Sequence, residues 1–160
     1  MAGRIICLLF LLVPGLFIQA RAQAFDKAVF YKVMENGNTD DVDKQLKIIE
    51  ATPNINKEAY SGALLMKKAG LIKGASKKLN VFKTGRTKLE AAIEKEKDNG
   101  EWYFLRLIIQ ENAPKILNYK SDKKNDAALI QHSFKKLSPE VQSAVMDYRK
   151  HSDTLQTFIF

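Results

Sequence analysis

Residues 101–113, EWYFLRLIIQENA, decide how this chain folds. Wound at 3.6 residues per turn, the stretch is apolar on nearly every side, with Arg106 the only cation among Trp102, Tyr103, Phe104, Leu105, Leu107, Ile108 and Ile109. A helix at the edge of a protein shows one apolar stripe, whereas a helix apolar all round sits in the middle of the body. We therefore expect a central helix here, closed or kinked by Pro114.

Working outward, every neighbouring segment carries its apolar residues at helical spacing, and no long period-2 alternation marks a strand. Before the central stretch, Leu89, Ala92 and Ile93 lie on one face of a helix that Asp98-Asn99-Gly100 ends. After it, Ile130, Phe134 and Leu137 form one stripe behind a cap at Ser121 or Asp122. Ser138-Pro139-Glu140 then opens a last helix that buries Val141, Val145 and Tyr148. Toward the N-terminus, Phe25, Val29 and Val33 share a face that stops at Asn36-Gly37, read as a left-handed C-cap. Asn38 or Thr39 caps a second helix with Asp40, Asp41 and Asp43 near its positive end and Val42, Leu46 and Ile49 buried, and Pro53 stops it. A third runs from about residue 56 to 69 over Ala59, Ala63 and Met66, with Gly70 as its stop. Gly85 weakens any helix drawn straight through residues 76–97, so a short helix over 77–82 and a bend at Gly85 are expected. Short turns between such segments make neighbours antiparallel. The expected fold class is all-α: an antiparallel helical array of about seven helices in one domain, residues 23–160.

Two junctions are more particular. ATPNINKEAYSGALL, residues 51–65, resembles the boundary between successive tetratricopeptide repeats, where a proline and an asparagine end one helix and an alanine-aromatic pair begins the next. AAIEKEKDNGEWYFLRL, residues 91–107, resembles the same boundary without its proline. The junctions stand 45 residues apart, at Pro53 and Asp98, against about 34 in that family. The resemblance implies helix pairs that present a concave face to a peptide. An irregular helical bundle is the other arrangement the pattern allows.

The first residues carry one cation, Arg4, then a fourteen-position apolar run over 5–18 broken by Pro14 and Gly15, then Ala20-Arg21-Ala22. That order is a secretory signal peptide with a small-x-small cleavage site over residues 1–22, and the run is short of the ~20 residues a membrane span needs. An exported protein, periplasmic or secreted, is the expectation. The only cysteine, Cys7, lies inside the apolar run, so the mature domain has no thiol for a disulfide, a metal or a nucleophile.

Charge is unevenly spread. Residues 24–60 sum to −2, 61–90 to +7, 91–120 to zero and 121–160 to +1. In the basic segment Lys67, Lys68, Lys73, Lys77, Lys78, Lys83, Arg86 and Lys88 alternate with Leu71, Leu79, Val81 and Phe82, an arrangement that sets cations beside an apolar strip. Nucleic acid is the usual inference from such clusters, but export and the lack of an aromatic stacking platform argue against it. Anionic lipid head groups, acidic glycans or an acidic partner protein fit better.

No local motif supports catalysis, and a serine-histidine-acid triad assembled from distant positions is the remaining enzymatic alternative. Lys83-Thr84-Gly85 spells the KTG of penicillin-recognising enzymes and Ser133 to Lys136 a Ser-x-x-Lys, but their order is reversed and no sheet exists to carry them. His132 and His151 are the only histidines, neither at helical spacing from the other, so no metal and no cofactor is expected. The reading favoured by the sequence is a non-enzymatic, exported interaction module that binds a protein or peptide. Its candidate binding residues are Tyr60, Trp102, Tyr103 and Arg106 on a concave face, with Arg106 either receiving a peptide carboxylate or pairing internally with Glu111 or Glu58. Lys67, Lys68, Lys77, Lys78 and Arg86 are the candidates for the alternative, an anionic surface. The final TLQTFIF is expected to dock into a groove of the array, where it would compete with any ligand.

Overall fold

A computed structural model describes residues 24–120 and 122–160. The signal peptide expected over residues 1–22 and the proposed cap at Ser121 lie outside the described residues. Among the described residues seven α-helices follow one another: α1 (Lys27–Asn36), α2 (Thr39–Ala51), α3 (Lys57–Leu71), α4 (Ala75–Lys95), α5 (Gly100–Asn112), α6 (Lys123–Ser133) and α7 (Pro139–Arg149). Single 3-10 turns at Lys115–Leu117, Phe134–Lys136 and Leu155–Thr157 join or extend them. Among the described residues there is no strand, and no helix is long and apolar enough to cross a membrane.

α5 is the axis of the molecule. From Gly100 to Gln110 every residue but Arg106 is buried, and Phe104, Leu105 and Leu107 have no exposed surface. The cross-links show how the other helices run against it. Glu90 and Glu96 of α4 and its end meet Arg106 and Trp102, so α4 and α5 are antiparallel. Arg106 meets Asp126 of α6, and the Gly100 backbone packs on Ser133, so α5 and α6 are antiparallel too. α2 and α3 are tied by Lys68 to Asp43 and by Lys57 to the Glu50 carbonyl, again in opposite directions.

Local signals explain most of the helix ends. Asn38 accepts from the amides of Asp40 and Asp41 at 2.8 and 3.1 Å while Asp41 accepts back from the Asn38 amide at 3.0 Å, a reciprocal capping box. Asn56 and Asn99 cap α3 and α5 by accepting from Ala59 and Glu101. Three expectations are corrected. Gly37 is not left-handed but extended, at φ −65°. Gly70 does not stop α3, which runs on to Leu71; the left-handed residue is Gly74, at φ +90°, where a side chain would be strained. α1 buries Phe30, Tyr31 and Met34, whose large side chains withdraw more apolar area from water, while of the expected face Phe25 and Val33 pack partly buried against the core and Val29 is exposed.

The fourth correction concerns Gly85. α4 passes straight through it as one helix of 21 residues. A Cβ built there would lie 2.6 Å from the carbonyl oxygen of Gly62 and 2.9 Å from the side chains of Leu65 and Met66, and one built on Gly62 would lie 2.7 Å from the Leu89 amide. The two glycines let the backbones of α3 and α4 touch, so Gly85 costs helix propensity but allows a contact no other residue permits.

Buried polar groups tie the helices together. Glu101, buried at the start of α5, accepts from the hydroxyls of Tyr31 at 3.1 Å and Tyr60 at 2.9 Å, and from the Lys27 ammonium at 2.7 Å. Burial first, then the nearby Glu101 carboxylate, pushes both hydroxyls above the ordinary tyrosine range. Burial likewise raises Tyr103, Tyr119 and Tyr148, with Glu90 adding to the effect on Tyr119 and Glu111 on Tyr148. These are all five tyrosines of the chain. A hydroxyl whose folded pKa is raised contributes stability that is fully present below the unfolded value, ~10, and is lost as pH rises through the folded value. An ultraviolet phenolate titration should therefore leave Tyr31 and Tyr60 un-ionised near pH ~10, with their absorbance rising only as the protein unfolds in stronger alkali. Ionisation of all five tyrosines at the ordinary value, with the helical signal intact, would contradict the buried Glu101 hub.

Candidate functional site

The residues singled out in the sequence do not form one surface. Tyr60 and Trp102 are core residues, packed edge to face with centroids 5.2 Å apart. The Trp102 indole N–H donates to Glu96 at 3.0 Å, and the Tyr103 hydroxyl donates to the Lys97 carbonyl at 2.7 Å, so the polar ends of both side chains are engaged inside the protein. Arg106 is bound neither to Glu111 nor to Glu58. Its Nε and NH2 grip Asp126 at 2.9 and 2.6 Å, and its NH1 donates to Glu90 at 2.8 Å. Its guanidinium lies 5.3 Å from the centre of the Tyr103 ring. Burial opposes the charge on Arg106, yet the bonds to Asp126 and Glu90 outweigh it and hold the pKa above the ordinary value. Glu111 instead accepts from the Ser152 hydroxyl and the Thr154 amide, and Glu58 pairs with Lys88.

The basic segment is divided by the turn between α3 and α4. Lys68 is paired with Asp43 and Lys88 with Glu58. Arg86 lies over the ring of Tyr119, 4.9 Å from its centre. Lys77 is exposed on the outside of α4. Lys67 and Lys78 face inward to a feature the sequence did not disclose: an open groove of about 1310 Å³ bounded by α1, α3, α4, the end of α5 and α7.

The floor of the groove is the C-terminal half of α5, where Ile108 and Ile109 line it, and Met34 and Met66 lie beside it from α1 and α3. Three large apolar side chains stand on its lips in contact with water: Leu71 at 41 % exposure, Leu79 at 40 % and Ile116 at 91 %. The sequence signal for one side was the alternation of Leu71, Leu79 and Phe82 with lysines. The floor carried no such signal, because a helix apolar all round does not show which side is left uncovered. Burial lowers the pKa of Lys67, and the neighbouring Glu35 opposes the shift.

The C-terminal tail does not enter this groove. Phe160 packs against Phe134 of the 3-10 turn after α6, with centroids 5.0 Å apart, and Arg149 donates to the carbonyls of Leu155 and Phe158. A second, small depression of about 240 Å³ holds His132 beside Ser133. The Ser133 hydroxyl donates to the Leu129 carbonyl at 2.7 Å and the Ser152 hydroxyl to Glu111 at 3.0 Å, neither to an imidazole. Lys83-Thr84-Gly85 lies on α4. Among the described residues no group of three or more His, Cys, Asp or Glu side chains is placed to hold a metal ion.

The fold and the groove together define an all-α protein with an open apolar trough along one side of its central helix. No family model, no curated protein and no solved structure matches the chain.

Proposed function

We propose that this chain is an exported, non-enzymatic interaction module that binds the apolar side of a peptide or protein segment in the groove over α5. The observation that carries the reading is the row of water-exposed apolar side chains, Leu71, Leu79 and Ile116, standing over an apolar floor. Helix-walled grooves of this kind receive amphipathic segments through a few apolar anchors. Export rests on the order of Arg4, the apolar run over 5–18 and Ala20-Arg21-Ala22. The antiparallel helix pairs at the two repeat-like junctions support the tetratricopeptide-like arrangement that suggested a peptide in the first place.

An environment-sensitive apolar dye tests the reading. The protein should bind it, and the exposed-site variant Leu79→Glu/Ile116→Glu should lose the dye while keeping its circular dichroism. Absence of dye binding, or equal binding by the variant, would refute the reading. A second reading, an anionic lipid or glycan surface, is supported by the exposure of Lys73 on the α3–α4 turn and of Lys77 and Lys83 on α4. Such binding must weaken steeply with salt, so sedimentation with acidic vesicles that is absent, or indifferent to salt, eliminates it.

A further inference from the structure

The same groove carries charge as well as apolar surface, and the two together narrow its occupant. This inference rests on the groove being a binding site. Lys32 of α1, Lys67 of α3 and Lys78 of α4 line it. Among the described residues none of the three ammonium groups is paired with a carboxylate: Lys67 donates only to the backbone carbonyl of Glu35, at 3.2 Å. Three acids also face the groove. Asp147 on α7 is engaged by Lys150 at 2.8 Å, Glu35 lies at the end of α1 beside Lys67, and Glu140 sits at the start of α7. Lys32 on α1 and Lys78 on α4 are thus left without an acidic partner, Lys67 has Glu35 beside it, and the other two acids come from α7.

Openness decides between the chemistries that would fill an apolar trough. An acyl chain laid over Leu71, Leu79 and the almost fully exposed Ile116 would keep much of its own surface in water. A helix with one apolar face covers the lips with that face and turns a polar face to solvent, so it gains the burial without leaving apolar area wet. Cations beside the apolar strip then favour acidic residues along the flank that meets them, since like charges brought together there would be unfavourable.

We propose that the groove receives an amphipathic helix of a partner protein whose apolar stripe is flanked by acidic side chains that meet Lys32, Lys67 and Lys78. The test uses three fluorescein-labelled synthetic peptides of about 12 residues, ~18 Å when helical, with the same leucine stripe and Glu, Gln or Lys on its flanks. Their binding to the full-length protein is read by fluorescence anisotropy at low and high salt. The Glu peptide should bind about tenfold more tightly than the Lys peptide at low salt, and the gap should close as salt rises. Lys32→Glu/Lys78→Glu, both at exposed positions, should invert the preference. Lys77→Glu changes the charge on the outside of α4 and should leave the preference in place.

Equal affinities for the three peptides, or an equal response to Lys77→Glu, would overturn the acidic-flank inference while the groove reading stands. Failure of every peptide to displace the apolar dye, with displacement by laurate, would overturn it in favour of an acyl chain. Absence of dye binding altogether would remove the groove reading and this inference with it.

Discussion

Replacing Arg106 by leucine is expected to destabilise the protein by about 3–5 kcal/mol at neutral pH, the usual cost of removing one member of a buried ion pair. The arginine side chain is 11 % exposed and its partner Asp126 is wholly buried. Without the guanidinium, Asp126 is left as a carboxylate in an apolar interior, while Glu90, a third exposed, can turn toward water and keeps the Tyr119 hydroxyl. Burial already pushes the Asp126 carboxyl above its ordinary value, and the bonds from Arg106 offset part of that. Removing them raises it further. A carboxyl whose folded pKa lies above its unfolded value favours the folded state when protonated, so the deficit should shrink as pH falls through the raised value and be largest above it. Urea unfolding of Arg106→Leu at neutral and mildly acidic pH measures this. The double variant Arg106→Leu/Asp126→Leu should recover much of the loss, because a hydrophobic pair replaces an ionic one at little cost. If Arg106→Leu unfolds at the wild-type midpoint, the ion pair contributes nothing to the fold.

Gly85→Ala should cost about 2–3 kcal/mol, although alanine is the better helix former by ~1 kcal/mol. The new methyl would meet the Gly62 carbonyl 2.6 Å away, a backbone atom that cannot rotate aside, so α3 and α4 must separate along their contact. Gly70→Ala is the matched comparison. It is also a helical glycine, on α3, and its Cβ would meet nothing within 4 Å. That substitution should stabilise by about 0.5–1 kcal/mol. Thermal unfolding of the two variants should therefore move in opposite directions. The same sign for both would mean that α3 and α4 do not cross at the glycines.

The opposite expectations for one substitution at two glycines show what sequence reading can and cannot reach. Glycine at position 85 signals weak helix propensity, and from that alone a bend was expected. Whether the missing side chain is a defect or an allowance for a neighbouring backbone depends on Gly62, 23 positions earlier, and no local rule refers to it. Arg106 was legible in the same partial way. Its place among apolar residues required a partner, but Asp126 and Glu90 were not distinguishable from Glu111 and Glu58 until α4 and α6 were packed against α5. Tyr60, Trp102 and Tyr103 attracted notice as aromatic side chains with polar ends; Glu101, Glu96 and the Lys97 carbonyl engage those ends in the interior.

The amino-acid order alone determined the all-α class, the central place of residues 101–113, most of the helix boundaries and the concentration of positive charge between residues 61 and 90. These follow from periodicity, capping and composition, which act over a turn or two of chain. The tertiary structure decided which side of α5 lies under the groove, which lysines are paired and which face the groove, and that α4 runs unbroken across Gly62. Those outcomes depend on distances between residues far apart in the chain, set by how the helices share one core, and no window of sequence contains them.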